Sequence, residues 1–368
     1  MLNQLKVLDL SRVLAGPLCT MMLGDLGARV IKVERPHTGD ETRGWGPPFD
    51  ERGESAYYLS VNRNKLSVAA DLDSAYDRDL LLRLMSEADV VVDNFMPGTL
   101  ERRGINPIHI VEAHARLIWC SITGFGEGSQ RPGYDLAVQA ESGWMSITGD
   151  PEGPPMRAGV ALADILAGKD AAIAILGVLA ARGSESLLSP GDRRIHISLA
   201  ASATAALINV AQNSLVTGLE ARRWGNQHPN LVPYQLFDAA DRPFVLAVGS
   251  DAQWVAAMRS IELGDLADDR SLATNAGRLQ GRDGIVRRIA LRLRVKPAAV
   301  WIVALTAAGV PCGIVRTVLE ALEDVEASPL TGVAPSIPGS ARLPPPRLDE
   351  HGEAIRRQRW QSFDSEYI

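Results

Sequence analysis

The sequence predicts an α/β protein with a large, doubly wound, Rossmann-like domain and a small α/β domain. The first observation behind this prediction is that strand-like apolar runs alternate with helix-like segments through the first half of the chain. The second is that these strands and helices have the lengths typical of a mostly parallel sheet covered on both faces. The third is size, because 368 residues, 46% of them hydrophobic, correspond to roughly two domains of ~150 residues with an ample core.

The elements of the first half can be assigned in chain order. Apolar runs predict strands at residues 5–10, 28–34, 66–70, 89–93 and 117–123. Helices are predicted at 18–26, which Gly27 closes in the C′ position, at 76–87, and in a short segment that begins at Pro97. A long apolar helix at 161–181, a strand at 195–198 and an alanine-rich helix running to about residue 216 follow.

The residue composition changes near Trp224, where Gly, Asn, His and Pro replace the apolar pattern. Beyond it, a strand at 244–248 and helices over 253–303 indicate a second, smaller unit. Residues 334–368 hold five prolines and no strong periodicity, which favours an extended return segment or a tail.

Charge and cysteine content exclude several classes of function. A formal net charge of −6 and no Lys/Arg run make nucleic acid and anionic membrane surfaces poor partners. The three cysteines lie far apart and the six histidines show no metal-ligand spacing, so neither a disulfide framework nor a metal site is predicted. No signal-like N-terminus and no apolar run of ~18 residues occur. We expect a reduced, cytoplasmic, metal-free enzyme.

The first strand, turn, helix and second strand imitate a dinucleotide-binding unit, with Glu34 placed for a ribose. The imitation fails at the turn, because residues 10–16 lack the G-x-G-x-x-G that lets a pyrophosphate approach the backbone. Residues 124–128 also follow a strand, but Glu127 would repel a phosphate there. An NAD or FAD site is therefore not predicted.

Nine collinear segments resemble the family III CoA-transferases (the CaiB/BaiF family), the group that contains formyl-CoA transferase and the carnitine CoA-transferases and is related to α-methylacyl-CoA racemase. They span nearly the whole chain: DLSRVLAGP at 9–17, GARVIKVERP with GDETR at 27–43, NRNK at 62–65, DNFMPG at 93–98, RPGYD with QA at 131–140, GVALAD at 159–164, GNQHP at 225–229, PY at 233–234 and GVPCG at 309–313. Each segment alone is weak, but nine in order are specific.

The resemblance implies an acyl-CoA enzyme whose nucleophile is an aspartate at Asp164. A carboxylate that attacks a thioester forms a mixed anhydride and releases CoA thiolate, which divides one difficult acyl transfer into easier steps. Asp164 lies at the head of the apolar helix 165–181, where the helix dipole favours its anion. The alternative for Asp164 is a purely structural N-cap, the commoner role of aspartate at such a position.

The resemblance also implies where CoA binds, as a substrate rather than a permanently bound cofactor. Arginines suit the nucleotide phosphates because they offer paired donors and keep their charge, and Phe95 suits an apolar wall. The implied contacts are Leu14, Ala15, Arg35, Asn94, Phe95, Arg102, Tyr134 and Asp135. Arg102 has a solvated helix charge as its alternative, and Lys65 is read as an exposed loop lysine.

Tyr134 separates two subclasses of the family. Members that racemise 2-methylacyl-CoA carry a His there, whereas a Tyr titrates near ~10 and is a poor base at neutral pH. A further racemase acid maps to about Asp251, which is acidic here too. Residues 225–229 correspond to a loop that closes over the site, with His228 placed to bind substrate or to anchor the loop.

The resemblance implies an interlocked homodimer in which each subunit has four parts: 1–190 as the N-terminal part of the large domain, 191–224 as a connecting strand and helix, 225–318 as the small domain, and 319–368 as the return segment. The predicted function is reversible CoA transfer between an acyl-CoA and a small carboxylic acid through aspartyl-anhydride and aspartyl-CoA intermediates. Two alternatives are a 2-methylacyl-CoA racemase and a catalytically silent acyl-CoA-binding protein.

Overall fold

The computed structural model describes residues 1–182 and 188–364. The chain divides into two compact units. The large unit comprises Met1–Met145, Arg157–Ala221 and the residues from Val325 onward, and the small unit comprises Ser146–Met156 and Arg222–Asp324.

The strands of the described residues are, in chain order, β1 (Lys6–Asp9), β2 (Arg29–Glu34), β3 (Lys65–Ala69), β4 (Val90–Asp93), β5 (Ile118–Thr123), β6 (Arg194–Ser198), β7 (Tyr234–Asp238), β8 (Pro243–Ala247), β9 (Cys312–Ile314), β10 (Ala327–Ser328) and β11 (Gly332–Val333). The helices are α1 (Ala15–Asp25), α2 (Ala56–Leu59), α3 (Ala75–Glu87), α4 (Pro107–Ala113), α5 (Asp135–Glu141), α6 (Trp144–Ile147), α7 (Leu162–Ala181), α8 (Leu199–Ala205), α9 (Ile208–Thr217), α10 (Asp251–Ser260), α11 (Gly264–Asp268), α12 (Asn275–Gln280), α13 (Arg282–Leu293), α14 (Ala298–Ala307), α15 (Val318–Leu322) and α16 (Gly352–Gln358).

The large unit is built on a six-stranded sheet in the order β3-β2-β1-β4-β5-β6, and every neighbouring pair is parallel. This confirms the predicted α/β class with a parallel sheet. The order reverses between β1 and β4, so the crossover helices after these two strands lie on opposite faces. Such a reversal opens a crevice at the carboxyl ends of the strands, which is where ligands of doubly wound sheets bind.

Successive side chains along each strand point to opposite faces of the sheet, so each face has its own hydrophobic core. On one face, Val7, Val30 and Val92 pack with residues of α1, α7 and α8. On the other face, Leu8 and Ile31 pack with residues of α3, α4 and α16. Because both faces are covered, the central strands read as continuous apolar runs, which is why they are recognisable in the sequence.

A network of buried charges fastens β1, β2 and β3 beneath this crevice. The Nζ of Lys65 donates to Asp9 Oδ2 at 2.9 Å, and both side chains are fully buried. Burial opposes ionisation of Asp9, yet the cations of Lys65 and Lys32 outweigh it and hold its pKa at about 2. The expectation that Lys65 is an exposed loop lysine is therefore wrong, and its amino group is not free to meet a phosphate.

The last part of the chain completes the large unit at the edge strand β3. The backbone N–H of His351 donates to Ser67 O, and Asp349 Oδ1 accepts from the N–H of Ala69 at 2.7 Å. Trp360 is buried in the core and its Nε1 donates to Leu84 O at 3.1 Å. These contacts satisfy and cover an edge that would otherwise be open to pairing with another strand. Within this segment, which the sequence predicts as an extended return segment or a tail, helix α16 forms.

Two other local predictions differ from the structure. Residues 97–100 form a turn, and the helix with a proline in its first turn begins instead at Pro107, capped by Asn106. The alanine-rich helix is interrupted at 206–207, so that α8 and α9 meet at 73°. In the described ranges no single helix is long and apolar enough to cross a membrane; the bent α8–α9 pair meets that test only by combined length and composition.

The small unit holds the antiparallel sheet β7-β8-β9 and helices α10 to α14. Its core is centred on Phe244, Trp254 and Trp301. Arg278 is buried there and donates to Asp251 Oδ1 at 2.7 Å, so this carboxylate serves an ion pair.

Replacing Lys65 by Met should destabilise the protein by about 3–5 kcal/mol, because the carboxylate of Asp9 would remain buried without its ammonium partner. Urea unfolding followed by circular dichroism measures this loss. Lys169→Met is the matched control, since Lys169 is exposed on α7 and its replacement should change the free energy of unfolding by less than about 0.5 kcal/mol. Equal midpoints for the two variants would show that the buried pair does not hold the fold.

Candidate active site

A cavity of about 180 Å³ opens at the switch point of the large unit's sheet. Its walls come from the segments that follow β1, β4 and β5 and from the start of α7. The lining residues are Arg12, Val13, Ala15, Glu41, Asn94, Phe95, Met96, Pro97, Ile122, Thr123, Gly124, Ser129, Arg131, Pro132, Gly133, Tyr134, Asp164 and Leu199. The topology therefore brings together residues that are up to 187 positions apart in the chain.

The turn after β1 is held by side chains rather than by a glycine-rich backbone. Val13 has φ +69°, a left-handed conformation that a β-branched residue rarely adopts, and its N–H faces the carboxylate of Asp40 at 3.2 Å. Asp40 in turn accepts from the buried Nζ of Lys32 at 3.0 Å. Gly16 is required because a Cβ there would meet the Ser11 side chain at 2.2 Å.

Asn94 fixes the main chain of Arg12 on both sides. Its Oδ1 accepts from the Arg12 N–H at 2.9 Å, and its Nδ2 donates to the Arg12 carbonyl at 2.7 Å. The next residue, Phe95, lies beneath the Arg12 guanidinium, with 5.3 Å from Cζ to the ring centroid. Asn94 and Phe95 thus build the cavity wall from the end of β4.

Asp164 lies in the first turn of α7, half-buried in the cavity wall. The N-cap of α7 is Ala161, so the alternative reading of Asp164 as an N-cap is wrong. Asp135 caps this helix instead, because its Oδ1 accepts from the N–H of Ala163 at 2.7 Å. Because Asp135 caps the helix, Asp164 has no capping role.

The position of α7 depends on one close approach to α1. A Cβ on Gly168 would lie 2.6 Å from the carbonyl oxygen of Ala15. Only glycine at residue 168 therefore lets the helix that carries Asp164 lie this near to the turn after β1. The contact joins Asp164 to the Arg12–Ala15 wall of the cavity.

The pKa of Asp164 shifts in the direction opposite to the one that the helix dipole favours. Burial, together with the negative charge of Asp135, raises the pKa of Asp164 to about 7. Among the described residues, no donor forms a hydrogen bond to its carboxylate. Burial and the negative charges of Asp164, Asp135 and Asp40 also raise the pKa of Tyr57 to about 12. Strong pKa perturbation in a cleft is typical of a reacting group.

The place of Tyr134 in the cavity wall depends on two glycines whose backbones pass close to each other. Cβ atoms on Gly124 and Gly133 would lie 2.5 and 2.3 Å from the opposing Cα atoms. This backbone contact fixes the loop before α5, which carries Tyr134 and Asp135. The glycine after β5, Gly124, is therefore required for loop packing and not for phosphate binding.

The other residues implied for CoA binding lie at different distances from the cavity. Ala15 lines it, whereas Leu14 is half-buried beside it. Arg35 and Arg102 are exposed and line neither this cavity nor the neighbouring one of about 230 Å³ that shares Phe95. Arg102 donates to Thr99 Oγ1 at 3.2 Å.

Sequence reasoning missed Arg12 as a site residue. Its Nη1 donates to Glu41 Oε1 at 3.0 Å, and both residues line the cavity with Asp164. A second missed arginine, Arg131, is already held by Glu141 and stacks on Phe125 at 4.0 Å. Both arginines lie within the segments that carry the family resemblance. Their neighbours along the chain do not reveal which guanidinium keeps N–H groups without a hydrogen-bond partner.

The loop at 225–229 is anchored within the small unit. Arg282 donates to the carbonyl oxygens of His228 and Pro229 at 3.0 and 2.6 Å. His228 accepts at Nδ1 from the N–H of Asn230 at 3.0 Å, and its ring lies 5.2 Å from that of Tyr234. These contacts agree with the anchoring alternative for His228.

Comparisons with known proteins identify the family. The model of CoA-transferase family III matches residues 2–335. The chain is 37% identical over 380 residues to succinyl-CoA:glutarate CoA-transferase of Mus musculus, covering 97% of this chain and 86% of that protein. It is 42% identical over 286 residues to succinate–glutarate CoA-transferase of Agrobacterium fabrum, covering 76% and 70%. A crystal structure of a CaiB/BaiF family protein from Brucella suis has a TM-score of 0.85 and 36% identity, covering 97% of this chain and 98% of that one. The sequence, the switch-point cavity and these matches agree that the chain belongs to CoA-transferase family III.

Proposed function

We propose that this chain moves CoA reversibly between an acyl-CoA and a free carboxylic acid through covalent intermediates on Asp164. The observation that carries the proposal is a carboxylate without a hydrogen-bond donor among the described residues, set in a cavity at the switch point of the sheet. The activities named for the family and for its relatives support the overall transfer.

The reaction balances with carboxylates and a thiol alone. A carboxylate oxygen of Asp164 attacks the thioester carbon, the C–S bond breaks, and CoA thiolate leaves a mixed anhydride. The thiolate then attacks the Asp164 acyl carbon, which forms an aspartyl-CoA thioester and releases the donor acid. The acceptor carboxylate repeats both steps in reverse order, so that the new acyl-CoA leaves and Asp164 is regenerated.

The environment of Asp164 suits this chemistry. A carboxylate in water is a weak nucleophile because its charge is well solvated, whereas partial burial beside Ala15 and Phe95 removes part of that solvation. The same walls restrict water from the anhydride. The raised pKa of about 7 is a consequence of this arrangement, and it leaves part of the Asp164 side chains protonated at neutral pH.

For CoA itself, we propose that Arg35 and Arg102 meet the nucleotide phosphates at the rim of the site. Both guanidiniums are exposed, and neither forms an ion pair with a described residue. Apart from the Arg102 donation to Thr99, their donors are available for phosphate oxygens. Leu14, Phe95 and Tyr134 would then line the path of the pantetheine arm.

The racemase alternative lacks its base. Tyr134 occupies the position where a histidine would take the α-proton, and a phenol is a poor general base for that step. The acid at Asp251 is committed to its ion pair with Arg278. Incorporation of solvent deuterium at C2 of a 2-methylacyl-CoA is the measurement that would restore racemisation.

We also propose that the chain acts as a homodimer, which the resemblance implies to be interlocked. Helix α9 leaves Ile208, Leu215 and Val216 73–78% exposed, and Leu219 beyond it is 70% exposed. Contiguous exposed apolar side chains of this kind mark an interaction surface.

A dimer should have the mass of two chains in light scattering coupled to gel filtration. Leu215→Glu combined with Val216→Lys should shift the mass toward one chain, because charges would be buried at the contact. Arg83→Glu, at an exposed position of α3, is the control and should leave the mass unchanged. A single-chain mass for the unaltered protein would reject the dimer.

Replacing Asp164 by Ala should lower kcat for CoA transfer at least ~10³-fold, because no other group replaces the covalent step. Hydroxylamine added with acyl-CoA should trap Asp164 as its hydroxamate, detectable by peptide mass spectrometry. Asp170→Asn is the matched control, since Asp170 is exposed on the same helix. Full activity in Asp164→Ala would end the covalent mechanism.

The pH dependence of donor kcat/KM should report the ionisation of Asp164 in the free enzyme. Because only the anion attacks, the rate should rise about tenfold per pH unit at acidic pH and level off above about pH 7. Asp135→Asn removes the neighbouring negative charge, so the inflection should move to lower pH while burial keeps it above that of a free aspartate. Asp170→Asn should leave the profile where it is. An inflection near pH 4 in the unaltered enzyme would contradict the raised pKa.

A further inference from the structure

The guanidinium of Arg12 keeps one of its edges unpaired within the cavity. Its Nη1 is bound to Glu41, while Nε is buried and has no hydrogen-bond partner in residues 1–182 and 188–364. In the same described ranges Nη2 has no partner either. The side chain is 21% exposed and lines the cavity that also contains Asp164. Its Nε and Nη2 therefore form a free two-donor fork.

The position of this fork is set by groups on both sides. Asn94 fixes the Arg12 backbone at both its N–H and its carbonyl, and the Phe95 ring lies under the guanidinium plane. Glu41 fixes the Nη1 end. A guanidinium restrained in this way has lost its rotamer freedom before a ligand arrives, which favours binding.

The free fork matches a carboxylate. Two parallel N–H groups bind both oxygens of a planar carboxylate, and such bidentate pairs are the strongest of the ordinary hydrogen bonds. Partial burial, opposed by Glu41 and reinforced by Arg35, lowers the pKa of Arg12 without removing its charge. Glu41 neutralises part of that charge but occupies only the Nη1 side. An anion at the Nε side would satisfy the buried Nε as well.

This carboxylate cannot be the one that reacts, since the reacting carboxyl must meet Asp164. Arg12 and Asp164 line one cavity of about 180 Å³, which has room for a short carbon chain between them and not for CoA. A small acid with a carboxyl group at each end would fill this space with one end at each residue.

We infer that the free edge of Arg12 binds the second carboxylate of a short dicarboxylic acid, which makes Arg12 the residue that selects dicarboxylic over monocarboxylic acids. The inference rests on the CoA transfer proposed above.

The test compares glutarate with valerate, which have the same number of carbons and differ in one terminal carboxyl. With a single acyl-CoA donor, kcat/KM for the acceptor reports only the half-reaction in which that acid attacks the enzyme-bound CoA thioester. The unaltered enzyme should favour glutarate. Arg12→Met should reduce kcat/KM for glutarate roughly 30- to 100-fold and change that for valerate less than about threefold. Arg12→Lys should recover part of the preference, since it restores charge without the fork.

Arg131→Met is the matched control, because Arg131 lines the same cavity but its guanidinium is held by Glu141. It should leave the ratio of glutarate to valerate unchanged. If Arg12→Met lowers both acids equally, or if the preference for glutarate survives, the assignment of Arg12 is overturned.

Calorimetric titration of both acids into the CoA-loaded protein separates this inference from the proposed function. Tighter binding of glutarate that is lost in Arg12→Met supports the role of Arg12 whether or not turnover occurs. Turnover of neither acid by the unaltered protein would count against the transfer function alone. Equal binding of the two acids to the unaltered protein would overturn the inference.

Discussion

The buried ion pair between Asp9 and Lys65 is the interaction on which the rest of the large unit depends. Asp9 ends the first strand and accepts from Ser11, from Thr20 of α1 and from Lys65 of β3, so one carboxylate joins three elements at the bottom of the crevice. The Nζ of Lys65 also donates to the carbonyl oxygen of Pro17 at 2.9 Å. Two charges removed from water are costly unless every donor and acceptor is satisfied, and here each is. Lys32 continues the network from Ser11 O to Asp40, which accepts from Val13. The strained turn that forms one wall of the cavity is thus held by charges buried beneath it.

The same reasoning explains why this unit has the outline of a dinucleotide-binding fold without its chemistry. Glu34, at the end of β2, would meet a ribose in such a fold, but here it accepts from Arg43 at 2.8 Å through each oxygen and is buried. The turn after β1 carries Arg12 and Val13 where a pyrophosphate would need bare backbone. Arg12 and apolar side chains lie where phosphates would bind in such a fold, which agrees with the small acid proposed above as the ligand.

The sequence was sufficient for features that depend on neighbours along the chain and insufficient for those that depend on distant ones. The six parallel strands could be predicted because continuous apolar runs are local signals, and collinear motifs were sufficient to propose a role for Asp164. The direction of the Asp164 pKa could not, since it follows from burial and from Asp135, whose part in capping α7 is visible only in three dimensions. Lys65 was assigned to the surface because lysine is almost never fully buried without a partner, and its partner lies 56 residues away. The importance of Arg12 was missed for the same reason, since Asn94 fixes it from 82 residues away.

Buried pairing also determines how a chain with a net charge of −6 can attract a polyanionic substrate. The cations of Lys32, Lys65, Arg43 and Arg63 each lie within 3.0 Å of a carboxylate, so they cancel locally and add little to the field outside. Arg35 and Arg102 form no ion pair with a described residue, and Arg12 keeps guanidinium donors that no described residue occupies. Under the proposed function, these are the cations left to meet the substrate. Since the buried cations are already paired, the proposed function makes substrate recognition depend on Arg12, Arg35 and Arg102 rather than on the overall field, and single substitutions among them should alter substrate binding without altering the fold.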